Sequence, residues 1–208
     1  MSDSLLPPPA EIALLAERCA LHVEGRFGLR PDGTPETLSL LDHLIAAVVV
    51  EEARGAVPPP GHPLRSHLVH ILAPPLCAWF GEVVRGQFAC RWRLEGGGPL
   101  GWTIDFDRCL LRLSPFAAAA EAIMRDHRLD GTPVLRTAPQ SAAGLRDRLA
   151  AAPGLPNDEF FALANRFEVL QISTEWLAIG GNGAESLSDA DYDRVFCPGT
   201  TPRRGYPI

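Results

Sequence analysis

The sequence of 208 residues contains no lysine, and all 19 of its basic residues are arginines. Reactions that depend on a lysine amine are therefore excluded, among them phosphate binding by a lysine-containing loop, a pyridoxal Schiff base and general-base catalysis by lysine. Proline (20) and glycine (19) are abundant instead, a bias typical of codon usage in a GC-rich genome. The absence of lysine thus excludes functions without indicating one.

Long apolar runs and an excess of basic charge are also missing. The longest apolar stretch, residues 44–50, is too short to span a bilayer, which takes about 20 residues. Acidic residues outnumber basic ones by 25 to 19, and the net charge is −6. Because phosphate contacts need clustered basic side chains, we expect neither nucleic acid nor a membrane as partner. The negative net charge instead favours a protein partner with a basic surface.

The five cysteines are odd in number and widely spaced, and no two form a C-x-x-C pair. This pattern is typical of reduced thiols and not of a disulfide framework or a zinc site. The opening residues MSDSLLPPP have no basic start and no long apolar run, so we expect no secretory signal. The sequence therefore predicts a cytoplasmic protein, and nothing in it indicates a cofactor.

Apolar residues at helical spacing predict helices on both sides of a short β region. Ser114 is placed to cap one of them, with Pro115 in its first turn. Pro74 and Pro75 are expected to separate two helices, because proline removes a helical hydrogen bond. The predicted helices are 11–24, 35–54, 64–73, 75–86, 116–125, 141–151, 157–167, 168–179 and 189–196.

The spacing of apolar residues changes to every second position between residues 87 and 113, which is the sharpest signal in the sequence. Two alternating runs flank the loop 96–99, and a third short strand is expected at 110–113, giving a three-stranded antiparallel meander with one buried face. On its open face, Arg91 and Arg93 are expected to pair with Asp105 or Asp107 across the strands.

These elements predict one α+β domain over residues 1–196, with helices packed on the small meander and a helical C-terminal part. A sub-boundary is expected near residues 129–140, where the chain reads as a loop. Residues 197–208 contain three prolines and two glycines without periodicity, and they predict an extended tail.

Three histidines offer a candidate metal site. His67 and His70 would share one helix face, and His43 with Glu51 or Glu52 on the preceding helix would complete the ligand set. No H-E-x-x-H or E-x-x-H spacing supports this alternative. Glu82 lies among apolar residues and needs a positive partner, so we predict a structural ion pair with Arg85 or with an arginine of the sheet.

The segment 76–124 carries a Gly81-Glu82-Val-Val-Arg85 helix, a strand with Trp92, a second strand with Trp102 and a Pro115-Phe116 helix start. In these features it resembles a bacterial family of domains of unknown function. The resemblance implies an α+β fold with helices on a small antiparallel sheet. It implies no activity and no catalytic residues, and it covers about a quarter of the chain.

Since no catalytic constellation emerges, we expect a non-catalytic, cytoplasmic protein-binding module, such as an immunity or accessory protein for a basic partner. The candidate contact residues are Arg91, Arg93 and Asp105 on the meander and Arg203 and Arg204 in the tail. A metal-dependent enzyme that uses the histidine cluster is one alternative. A structural subunit of a larger assembly, with the tail laid across a neighbour, is the other.

Overall fold

The structure is a computed structural model that describes residues 7–55, 57–126, 133–151, 159–180 and 186–197. The described residues form a mixed α+β arrangement, as predicted, with three helices before the first three strands. The helices are α1 (Ala10–Phe27), α2 (Leu38–Glu52), α3 (Pro63–Gln87), α4 (Pro115–Met124), α5 (Pro139–Ala150), α6 (Leu163–Gly180) and α7 (Asp189–Phe196). The strands are β1 (Cys90–Leu94), β2 (Trp102–Phe106), β3 (Leu111–Leu113) and β4 (Leu135–Thr137).

The strands form one antiparallel sheet in the order β1-β2-β3-β4. Trp92 lies opposite Ile104, which in turn lies opposite Leu113, so the apolar residues of the period-2 pattern share one face. The predicted three strands are present, but β4 adds a fourth alongside β3. This strand falls in the segment predicted as a loop, and its three residues are too few for alternation to be recognised in the sequence.

Helix α3 runs unbroken through Pro74 and Pro75, contrary to the predicted separation at these prolines. Each interior proline costs a helix about 3 kcal/mol. Residues on either side of the pair are almost completely buried against α1 and α4, including Ala73, Leu76 and Cys77. Burial of this helix in the core therefore outweighs the local cost of the prolines.

Helix α4 begins as the sequence predicts. The Ser114 hydroxyl accepts a hydrogen bond from the amide of Ala117 at 3.3 Å, and Pro115 occupies the first helical position. Four consecutive alanines, residues 117–120, are buried and let α4 lie close against α3. One buried apolar cluster joins these two helices to α2, to α6 and to the inner face of the sheet.

The C-terminal half differs from the prediction in its helix boundaries. The helices predicted at 157–167 and 168–179 are replaced by the single helix α6, while residues 157 and 158 lie outside the described residues. The carboxylate of Asp42 on α2 accepts hydrogen bonds from the first amides of α6, at Leu163 (2.7 Å) and Ala164 (3.2 Å). The start of α6 is thus fixed by a residue more than a hundred positions away.

Helix α3 is long and apolar enough, by length and composition, to cross a membrane, and it is the one helix of the described ranges with this property. Its most apolar window has a mean hydropathy of 1.3, and 61% of that window is buried inside the protein. A central core helix has the same length and composition. The prediction of a single domain over residues 1–196 stays a prediction.

Candidate functional site

The polar face of the sheet carries one row of charged residues across all four strands. Arg91 lies opposite Asp105, Asp105 opposite Arg112, and Arg112 opposite Arg136. We call these four residues the arginine row. Arg112 and Asp105 form a bidentate ion pair at 2.6 and 2.8 Å, and both side chains are buried. The row contains three guanidinium groups and one carboxylate, so the sheet alone leaves a surplus of positive charge.

Helix α7 covers this face and supplies the missing negative charge. Asp189 binds Arg91 at 2.9 Å, and Asp193 binds Arg93. The ring of Phe196 lies over the guanidinium groups of both Arg112 and Arg136, at 5.0 Å from each. The like charges that lie opposite each other on β3 and β4 therefore both contact the ring of Phe196.

Arg91 and Arg93 form further ion pairs within the sheet region, Arg91 with Asp107 and Arg93 with Glu95. Burial acts to lower the pKa of Arg91, but its bonds to Asp189 and Asp107 hold that pKa above its usual value. The expected pairing of Arg91 with Asp107 is present. Helix α7 pairs with both arginines and Asp105 is fully buried, and a partner contact at these three residues stays a prediction.

The predicted metal ligands are not brought together. Among the residues that the structure describes, no group of three or more histidine, cysteine or acidic side chains is placed to hold a metal ion. His43 bonds the carbonyl of Ser39 on its own helix, and Glu51 pairs with Arg26 at 2.7 Å. His67 and His70 are both exposed on α3. The metal-site alternative gains no support from this arrangement and stays a prediction.

Glu82 occupies the position expected for a structural ion pair. Its carboxylate lies 3.3 Å from the Nε of Arg85, and it accepts a hydrogen bond from the indole nitrogen of Trp92 at 2.6 Å. The same carboxylate thus joins α3 to β1. The ion pair with Arg85 is confirmed, and the tryptophan contact was not foreseen.

A cavity of about 220 Å³ lies between α2, α3, α4 and the start of α6. Its wall is mostly apolar and also contains Asp42, Arg65 and Arg125. Burial raises the pKa of Asp42, whereas the amides of α6 and nearby positive groups act to lower it. The cavity is a second candidate site, which the sequence did not reveal because its residues come from four separated segments. The one signal in the sequence for this site was Arg65, a charged residue on the same side of α3 as the buried Leu68 and Val69.

The outward side of α1 is a third candidate. Leu14, Glu17, Leu21 and Glu24 recur at helical spacing opposite the buried residues of α1, and we call them the outer face of α1. Both leucines are more than half exposed. Arg30, which follows the helix, binds Glu17 at 2.6 Å and Glu24 at 3.2 Å. This surface combines exposed apolar groups with carboxylates that already bind a guanidinium group.

The tail residues Arg203 and Arg204 lie outside the described residues. Comparison of the chain with protein-family models, with curated proteins and with solved structures finds no match. The resemblance of residues 76–124 to a bacterial family therefore rests on its short motifs. The α+β arrangement that it implies, helices on a small antiparallel sheet, is the one observed.

Proposed function

We propose that this protein is a non-catalytic, cytoplasmic protein-binding module, such as an immunity or accessory protein, that binds a basic protein partner through the outer face of α1. The observation that carries the proposal is the combination of exposed leucines and guanidinium-binding carboxylates on one helix face. The proposed partner is a protein, not nucleic acid or a lipid surface, and the proposal includes no catalytic step and no cofactor.

Exposed apolar area supports this choice of surface. Leu14 is 56% exposed and Leu21 is 53% exposed. Phe27 and Leu29 continue the apolar area beyond the end of the helix. Together they are four of the ten large exposed hydrophobic side chains among the described residues, and they fall within sixteen consecutive positions. Exposed apolar groups clustered in this way are typical of a protein contact, whereas isolated ones are ordinary.

The charge pattern supports a basic partner. Glu17 and Glu24 lie on either side of Leu21 along the helix and share the single guanidinium group of Arg30. The two carboxylates of this face are thus available to guanidinium groups, and the whole chain carries a net charge of −6. A basic side chain from a partner would meet the same geometry that Arg30 already uses, and the long-range field would favour the encounter.

The thiols support placement in the cytoplasm. Cys19, Cys77, Cys90 and Cys109 are all buried and reduced. Burial raises the pKa of the Cys19 and Cys90 thiols to about 12 and that of Cys109 to about 11, which leaves them uncharged and unreactive at neutral pH. Reduced thiols of this kind are ordinary in a reducing compartment.

The test is capture of partners from the native host with the full-length protein at low and high salt, followed by mass spectrometry. The wild type is compared with the double variant Leu14→Ser, Leu21→Ser and with Glu17→Gln, Glu24→Gln. The matched control is Ile179→Ser, which changes an 87% exposed residue on α6. All changed side chains are exposed on the folded protein, so the variants are expected to fold.

The proposal predicts one stoichiometric partner with a basic surface that binds the wild type and the Ile179→Ser variant equally. The leucine variant should lose it, and the glutamine variant should bind it more weakly and with less dependence on salt. Equal capture by the leucine variant, or an acidic partner, would contradict the proposal.

A further inference from the structure

The cavity between α2, α3, α4 and α6 contains a buried positive charge that forms no ion pair with a carboxylate of the described residues. The Arg65 residue is 3% exposed and forms part of the cavity wall. Its guanidinium donates two hydrogen bonds to the carbonyl of Pro58 and one to that of Ile123. Within the described ranges it forms no ion pair, and no acceptor takes its remaining two N–H groups. A buried charge without a counter-ion costs several kcal/mol.

A second arginine lies at the exposed rim of the same cavity. Arg125 ends α4 in the left-handed conformation, with φ at 51°, where glycine is the usual residue. Arg125 lies close to Arg65. The pKa of Arg65 is lowered first by burial and second by the positive charge of Arg125. No carboxylate in the described part of the chain forms an ion pair with Arg125. Arg125 therefore places a second guanidinium group at this cavity, near that of Arg65.

Among the described residues of the wall, Asp42 is the one acidic group, and its oxygens already accept hydrogen bonds. Its two oxygens accept hydrogen bonds from the first amides of α6. The described part of the lining therefore has two positive groups and one negative group, and the oxygens of the negative group bind the N-terminal amides of α6. The remaining lining, which includes Ile45, Val49 and Ala122, is apolar. This combination fits an anion with an apolar body.

Size limits the ligand. A cavity of about 220 Å³ is larger than the roughly 150 Å³ cavity that admits benzene. It is smaller than the approximately 300–1,000 Å³ typical of sites for drug-sized molecules. A single aromatic ring or a short branched chain, together with one charged group, is the size that fits.

We propose that this cavity is a binding site for a small monocarboxylate with an apolar body. The carboxylate binds the guanidinium group of Arg65 at the base of the cavity, with Arg125 as a second contact from the rim. The apolar body lies against Ile45, Val49 and Ala122. This site is separate from the outer face of α1 and does not depend on the proposed partner.

The test is isothermal titration of the full-length protein with benzoate and with isovalerate, and with benzamide as a neutral compound of the same shape. Arg125→Gly removes the rim charge and places glycine where the backbone favours it, so this variant is expected to fold. Arg54→Gly is the matched control, because Arg54 is the other left-handed arginine and is not part of the cavity wall.

We expect one equivalent of benzoate or isovalerate to bind the wild type and Arg54→Gly equally, and benzamide to bind much more weakly. Arg125→Gly should bind the acids about tenfold more weakly, the effect of one charge-assisted hydrogen bond. The proposal is overturned if neither acid binds at millimolar concentration, if benzamide binds as well as benzoate, or if Arg125→Gly binds like the wild type. Loss of partner capture by the α1 variants leaves these outcomes unchanged, so the two proposals fail separately.

Discussion

The hydroxyl group of Tyr192 takes the place of a sheet hydrogen bond at Phe106. Strands β2 and β3 pair at Ile104–Leu113 and Asp105–Arg112, and the next pair in this register would be Phe106 with Leu111. There the Tyr192 hydroxyl accepts from the amides of Phe106 (2.9 Å) and Leu111 (3.2 Å). The hydroxyl oxygen also lies within 2.8 Å of the carbonyl oxygens of both residues, either of which can accept its one proton. One side chain of α7 therefore bonds to backbone groups of both strands where they separate.

Replacing Tyr192 with phenylalanine should lower the free energy of unfolding by about 1–3 kcal/mol, because the buried amide of Phe106 loses its acceptor. Urea denaturation measures this change, and hydrogen exchange should show faster exchange at the amide of Phe106 than in the wild type, whereas the Leu111 amide keeps the carbonyl of Cys109 as an acceptor. A loss below about 0.5 kcal/mol, the range of an ordinary surface substitution, would show that the hydroxyl does not have this role.

Two glycines of α3 should respond to alanine in opposite ways. A methyl group on Gly81 would overlap the indole ring of Trp92 and lie 3.1 Å from the side chain of Ile104, so Gly81→Ala should destabilise the fold by about 1–3 kcal/mol. Gly86 is exposed and has open space around it, so Gly86→Ala should stabilise by about 0.5–1 kcal/mol. Thermal unfolding of both variants makes the comparison, and a shift of the same sign in both would contradict the packing of Trp92 on α3.

Two of the carboxylates that bind sheet arginines, Asp105 and Asp193, should differ strongly in their effect on stability. Asp105 is fully buried in its pair with Arg112, so Asp105→Asn leaves an unbalanced guanidinium group and should cost about 3–5 kcal/mol. Asp193 is half-exposed, so Asp193→Asn should cost only about 0.2–1 kcal/mol and less at high salt. Urea denaturation at low and high salt separates the two. Similar losses in both variants would mean that α7 does not shield the arginine row from solvent.

The stability of the wild type relative to Asp42→Asn should fall as the pH rises above about 3.8, the ordinary pKa of this carboxyl group. Burial raises the pKa of Asp42 in the folded state, so between the two pKa values the folded protein holds more protons than the unfolded chain. Raising the pH through that interval therefore favours unfolding. The nearest charged groups, His43 and Arg125, act in the opposite direction. Denaturation of both proteins over a pH series measures the difference, and a relative stability that rises with pH would refute the dominance of burial.

The sequence by itself determined the elements whose signals are local. Alternation of apolar and polar residues fixed β1 and β2, since one face of each strand is buried in the core. Ser114 with Pro115 fixed the start of α4 through a hydrogen bond three residues away. The pairing of Glu82 with Arg85 was likewise predictable, because residues three apart on a helix are neighbours.

Only the tertiary structure decided the features that depend on residues far apart in the chain. Burial against α1 and α4 carries α3 through Pro74 and Pro75, against the local preference of proline. Helix α7 covers the arginine row, so residues that looked available for a partner are occupied by the chain itself. The cavity brings Asp42, Arg65 and Arg125 together from three helices. Periodicity in the sequence shows which face of a helix or strand is buried, but it does not show which other element packs against that face. The candidate sites depend on that packing, so only the tertiary structure defines them.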